Sequence, residues 1–492
     1  MLFSALAGMT ARGEAVSLRF HCAGAAKLTA DTNLATLNQT LSTSAASAFR
    51  RIALNQISAL ISQSCQLGSN ATPLIDPLLA DALENESVGV MGLPKSNLTS
   101  FITAVRVGPQ QAQLWNTNLD KLFGESTDAI KNARLAGKHW FRESAGDYWV
   151  ITRGDWLLFG HGGELAPQRA EFLQKIGTNG SPVSPLGTNW FEGDLDLSLL
   201  AGSLPDWAKA LKPAQVHIQV APRGGDLEIR GNATYASEIA WKHGAWQEPK
   251  NLIQSPLISF TAGKDVAAFL QVSPEFSKFD ENPLTNQFYA WALGMMPLQS
   301  YMAWPVSDAT NALKALSADL PSVVNPILKK VNDSQVLWQP KFGTLVWSGL
   351  NAIGPTISPA HDSHRDYLLV SLIPNLPPSP PGPAGLWKEL ETRANLVYYD
   401  WELTGKRLQQ MRLLPQMLWF RPETGKGGEG SMDGLQAKED LLGAMRSEIG
   451  TTVTEITQTA TNELFIIRKG PLGLTGFEVV ELADWLSKAG AR

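Results

Sequence analysis

Cysteine, histidine and charge are all scarce in this chain. Among 492 residues there are 2 cysteines and 7 histidines, and charged types make up 18%. Two cysteines cannot build a disulfide-dense scaffold or a cysteine-rich zinc module. Cys22 and Cys65 are left as free buried thiols or as the ends of a single bridge, and neither belongs to a CxxC. The net charge is −5, and lysine and arginine nowhere cluster among aromatics, which excludes the electrostatic footprint of a nucleic-acid binder. Apolar runs are short, "FYAWALGMM" (288–296) being among the longest, so the sequence holds no membrane-spanning helix. GxSxG, HExxH and P-loop patterns are also missing, which removes the motif-bearing forms of several hydrolase and nucleotide-binding classes.

What is present suits a folded chain. Hydrophobic residues reach 44% with a mean hydropathy of −0.09, enough apolar material for a substantial core. The length exceeds what one core supports, which predicts two domains or a duplicated unit. Three landmarks occur twice in the same order. "SLRFHCAG" (17–24) and "LISFTAG" (257–263) each read as a strand ending in glycine. "GDYWVITRGDW" (146–156) and "RDYLLVSLIPN" (365–375) each set Asp-Tyr before an apolar strand. "VHIQVAPRGGDLEIRG" (216–231) and "VTEITQTATNELFIIRKG" (453–470) each read as a closing hairpin.

Helical stretches lie between these strands. Helices are predicted from Ser44, from Pro167 to Gly177, and after Asp308 as a cap. A last helix follows a Thr475/Glu478 capping box, with Val479, Leu482, Ala483 and Leu486 on its packed face. Helices and hairpins interleave without a strand-helix-strand period, which predicts α+β and two related halves, 16–250 and 251–492, of antiparallel strands with packed helices. Residues 1–15 read as a worn export signal without a basic start, or as an ordinary folded terminus. The proline-rich 374–385 stretch and "GKGGEG" (425–430) read as loops.

With the duplicated pattern, "NLVYYDWELTG" (395–405) and the "GFEVVELADWL" ending (476–486), the chain resembles an uncharacterised bacterial family of the domain-of-unknown-function kind. The resemblance implies an extracytoplasmic α+β protein and brings no activity, cofactor or catalytic residue.

Candidate chemistry is thin. "PAHDSHRDY" (359–367) places His361 and His364 three apart beside Asp362 and Asp366. A zinc site needs a further ligand from elsewhere, such as His217 or His243, and the segment reads as a loop or short turn ahead of a strand at Leu368. The first-half landmark keeps Asp147 and Tyr148 but has Arg142 and Ala145 in place of the histidines. In "WFEGDLDLSLL" (190–200), Glu192, Asp194 and Asp196 share one strand face, with Phe191, Leu195 and Leu197 on the other; this is a cation-binding pattern or simply a half-exposed strand. Asp400 and Glu402, among Tyr398, Tyr399 and Trp401 in a chain with 16 tryptophans, are candidates for a catalytic carboxylate pair on glycans. Gly425, Gly427 and Gly430 spell GxGxxG with no preceding Rossmann strand, so they read as loop. The sequence thus points to a binding or scaffold protein for a protein or glycan ligand, without a cofactor. A carboxylate-driven glycan hydrolase, metal-assisted at His361 and His364, is the alternative.

Overall fold

The computed structural model describes residues 16–488 except 66, 69, 93–99, 125, 127, 133–134, 143–145, 163–164, 200–214, 240, 242–243, 266–285, 295–298, 332–334, 350–353, 364, 373–379, 419–431 and 446–448. Its strands form one antiparallel sheet of 20 members. β1 (Val16–Cys22) pairs on one side with β2 (Ser87–Gly92) and on the other with β8 (Phe191–Asp196). Beyond β2 follow β3 (Phe101–Arg106), β7 (Trp156–His161), β6 (Gly146–Arg153), β5 (Leu135–Arg142) and β4 (Asp128–Asn132). Beyond β8 follow β9 (Gln215–Arg223) and β10 (Asp226–Thr234).

The remaining strands pair in the same sequence. β11 (Leu257–Lys264) lies between β12 (Gln287–Leu293) and β18 (Leu396–Leu403). Beyond β12 come β13 (Ser300–Val306), β17 (Arg365–Ser371), β16 (Thr356–Asp362), β15 (Thr344–Ser348) and β14 (Gln335–Gln339). Beyond β18 come β19 (Thr451–Ala460) and β20 (Glu463–Gly470), and β20 pairs with β10 to make the sheet continuous. Both α and β are therefore present, with the strands antiparallel throughout.

The first and third sequence landmarks fall at matching places in this order, on β1 and β11 and on the β9–β10 and β19–β20 hairpins. The Asp-Tyr landmark does not. Asp147 and Tyr148 lie in β6, whereas Asp366 and Tyr367 lie in β17, which takes the place of β7. Hairpin chemistry explains the resemblance without positional equivalence. In each case the tyrosine is buried and the aspartate pairs across the hairpin with a histidine, His139 or His361.

Helices cover much of both faces. The faces can be followed because directly paired residues project to the same side. One row runs Tyr289, Ala262, Tyr399, Glu455, Ile467, Arg230, Gln219, Glu192, His21, Val88, Ala104, Leu158; we call its side the front. On the front, α6 (Ala166–Asn179) seals one wing through Phe172 and Ile176 against Val88, Ala104 and Leu158. α8 (Ala384–Glu391) seals the other through Trp387 and Leu390 against Phe260, Tyr289 and Tyr399. On the rear, α5 (Pro109–Phe123) packs Trp115 and Leu119 against Val105 and Leu157, and α7 (Ala309–Val331) packs Leu313 and Leu316 against Val306 and Leu368.

The rear of the sheet's middle is also covered. α3 (Ser44–Ser64), α9 (Thr404–Leu418), α10 (Met432–Ala444) and α11 (Gly476–Lys488) contribute Phe49, Leu408, Leu441 and Val479 to a core with Leu227 and Trp190. α1 (Ala25–Thr29), α2 (Ala35–Leu41) and α4 (Thr72–Glu84) complete the described helices, none of which is long and apolar enough to cross a membrane.

Helix ends follow the sequence signals with informative exceptions. Glu478 accepts from the Thr475 amide at 2.9 Å, while the Glu478 amide donates to Thr475 Oγ1 at 3.2 Å, so the capping box forms. Leu482 of that helix, expected on the packed face, is exposed, because contact with the core runs through Val479 and Ala483. Asp308 accepts from the Asn311 amide at 2.9 Å and caps α7, which continues through Pro321 and Pro326 to Val331. α6 passes Gly177 and ends at Gly180, whose φ of 71° suits glycine. At Gly177 the Arg153 guanidinium lies over the helix, where a Cβ would displace this mobile side-chain end.

Candidate functional site

Alternation in "YYDWEL" projects Asp400 and Glu402 to one side of β18 and Tyr399 and Trp401 to the other. The carboxylates take the rear, under α9 and α11. Asp400 accepts a 2.6 Å hydrogen bond from Thr261 Oγ1, and Glu402 accepts a 2.7 Å bond from the Gly476 amide at the start of α11. Arg407 of α9 donates to Ser300 Oγ and Gln410 Oε1 and carries its charge toward both carboxylates. Arg468 donates to Glu478 at 2.6 Å and to Thr454 Oγ1 at 2.8 Å.

Burial dominates the electrostatics. Glu402 is only 4% exposed, and loss of solvent pushes its carboxyl up to about 7 despite the Gly476 amide. Asp400 is also raised by burial, opposed by Thr261, Arg468 and Arg407, while desolvation lowers Arg407. These groups fasten two helices to the sheet.

The histidine segment, expected as a loop or short turn ahead of a strand at Leu368, is the β16–β17 hairpin, with strand reaching Asp362 on one side and starting at Arg365 on the other. His361 lies one residue before the end of β16 at Asp362, and Arg365 opens β17; Pro359 is tolerated because β15 pairs only with Thr356 and Ile357 of this strand. His361 Nδ1 lies 2.7 Å from Asp366 Oδ1, and Asp366 Oδ2 accepts from the Ala309 amide at 2.9 Å, so Asp366 ties the hairpin to the start of α7. The Ala309 amide, then His361, holds the Asp366 carboxyl below its ordinary range. Asp362 is buried and accepts from the backbone and side-chain amides of Asn251. His364, His243, Ala145, the Arg142 side chain and the GxGxxG glycines lie outside the described residues. Among the described residues, no three His, Cys, Asp or Glu side chains converge as a metal site would require. Cys22 and Cys65 are free thiols, both pushed up by burial.

A different region gathers exposed polar groups. Across the middle of the front face run Arg19, Asp194, His217, Asn232 and Phe465 in one cross-strand row, and Glu192, Gln219, Arg230 and Ile467 in the next. No described helix joins a core on this patch. Asp194 Oδ1 lies 2.8 Å from His217 Nδ1, their side chains being 67% and 43% exposed. Arg19, Asp194, Asp196, Gln215, His217, Asn232 and Thr234 line an open groove of about 420 Å³.

Toward the β9–β10 turn the front becomes basic. Glu228 is 3% exposed and sits among Arg230 Nε at 2.7 Å, Lys469 Nζ at 3.2 Å and Arg223 Nε at 3.6 Å. Burial works to raise the Glu228 carboxyl, but the hydrogen bonds and charges of Arg230 and Lys469 prevail and lower it. Sequence reading found the acidic strand and missed Arg19, Arg223, Arg230 and Lys469. The available signal was polar alternation in β1, β9 and β10; their juxtaposition depends on pairing between distant segments.

No family model, curated protein or solved structure matches the chain.

Proposed function

We propose that this protein is a non-catalytic binding or scaffold component that engages its partner across the middle of the front face. The observation that carries this reading is the polar patch that no described helix covers. Helices pack on its rear and seal the neighbouring front wings, and among the described residues no helix joins a core on this expanse of β1, β8, β9, β10 and β20. Asp400 and Glu402 favour no hydrolase reading: they lie on the opposite face and hold helix contacts. The recurring strand order supports two related halves, 16–250 and 251–492, joined through β10 and β20. An extracytoplasmic setting, as in the family the chain resembles, completes the proposal.

A photo-crosslinking residue tests it. Placed at Asn232, in the patch, it should give a defined adduct in cells; placed at exposed Lys341, far from the patch in strand order, it should not. Equal labelling from both positions, or none from Asn232, would overturn the reading.

A further inference from the structure

We infer that the partner of the front face is a second copy of this chain, docked by two-fold symmetry so that the acidic end of one patch meets the basic end of the other. This rests on the front face being a binding surface. One end of the patch carries Glu192, Asp194 and Asp196 against Arg19 and the His217 imidazole. The other carries Arg223, Arg230 and Lys469 around the buried carboxylate of Glu228, with Asp226 opposite Arg223, which leaves this end net positive.

The two ends are separated both across and along the strands. From β8 to β20 the sheet crosses three strand spacings, about 14 Å, and from Asn232 to Glu228 it advances four residues, about 13 Å. A two-fold axis between the ends brings each onto its opposite in the partner. That is the self-complementarity an isologous interface requires. On β20, the side of the patch away from β8, Phe465 and Ile467 add partly buried apolar side chains to the same face beside Lys469, and Gln219 lies between the two ends.

Area sets the size class of the contact. Five strands spaced about 4.8 Å apart and about 24 Å long present roughly 600 Å² per copy, or about 1,200 Å² in total. This is the lower end for a specific complex, so the dimer is reversible, with steep salt dependence.

Sedimentation velocity of the full chain, from about 1 to 100 µM, tests the inference directly. The wild type should pass from monomer to dimer, and D194K/D196K and R223E/K469E should each weaken association at least about tenfold. Arg230 is left in place to hold Glu228. An equimolar mixture of the two variants should restore association to within about threefold of wild type, because each mismatched end then meets its complement. Circular dichroism checks folding. If a charge reversal unfolds the chain, D194N/D196N and R223Q/K469Q replace it, and loss of the wild-type salt dependence is the expected result.

A wild type that stays monomeric, variants that dimerise like wild type, or a mixture that fails to associate would each overturn the inference. The crosslink at Asn232 separates this from failure of the broader reading. An adduct of twice the chain mass supports the dimer; an adduct of any other mass overturns the second copy and leaves the front face as a binding surface.

Discussion

The strand pairs β1·β8 and β11·β18 occupy matching places in the sheet, yet they turn their charge to opposite sides. In the first pair, Arg19, His21, Glu192 and Asp194 project to the front, while Leu18, Phe20 and Leu195 project to the rear. In the second, Phe260, Ala262, Tyr399 and Trp401 take the front, while Thr261, Asp400 and Glu402 take the rear. What covers each side accounts for the difference. α8 packs its apolar residues on the front of β11·β18, and no described helix does so at the centre of the front. The same strand pairing thus holds an exposed charged surface in one pair and a buried polar latch in the other. Strand order fixes where a face lies, and the packed helices fix what it can bear.

The largest expected effect comes from giving the second pair the polarity of the first. Phe260 is fully buried against Tyr289, Trp387 and Tyr399. F260D removes that packing and buries an unpaired carboxylate, at a cost of at least about 5 kcal/mol, enough to unfold many domains. R19L, the reverse exchange on the exposed pair, should change stability by less than about 0.5 kcal/mol. Urea unfolding of both variants checks the contrast, and similar losses would show that the two fronts are equally buried.

The second test uses pH. The Glu402 carboxyl rises from 4.5 to about 7 on folding, so between those values the native state holds a proton that the unfolded chain has released. Stability therefore falls as pH rises through this window and levels off above it, by about 3 kcal/mol for this group. E402Q keeps an acceptor for the Gly476 amide and removes the titration. Its stability relative to wild type should increase from pH 5 to pH 8; parallel profiles would mean that Glu402 ionises normally.

Glu228, on the other side of the sheet, should behave with the opposite sign. Its carboxyl is lowered, so its contribution is present above the ordinary 4.5 and is lost as pH falls through the lowered folded value. At neutral pH, E228Q leaves Arg223, Arg230 and Lys469 facing an uncharged amide, costing about 1–3 kcal/mol in urea unfolding. The difference from wild type should shrink in acid. An unchanged difference would assign the loss to packing alone.

The sequence made these devices legible to different degrees. The Thr475/Glu478 box and the Asp308 cap are local, because each needs only a side chain and an amide three residues away. The acidic face of β8 is local too, following from period-two alternation. Which side of β18 is buried is not local, since it depends on α8, α9 and α11, which are neighbours in space. Nor can pairing within a strand reveal that Arg19, Asp194, His217, Asn232 and Phe465 form one row drawn from five strands. The histidine segment misled for a related reason. His361 lies in β16 and turns to Asp366 of β17 across the hairpin, so it belongs to a strand and not to a helical face.

The smallest effect concerns Asp194 and His217, and it separates stability from association. Both side chains are well exposed and their contact is bathed in solvent, so D194N should cost less than about 0.5 kcal/mol at low salt and nothing measurable at high salt. A double-mutant cycle with H217A in dilute protein reads this coupling while the chain is monomeric. Repeating the cycle above the dimer Kd adds the partner's Arg223 and Lys469 to the surroundings of the same carboxylate. The cost of D194N should then grow with protein concentration, whereas the pH signature of Glu402, sealed beneath α11, should not move. A concentration-independent D194N effect would confine the acidic end of the front face to its own chain.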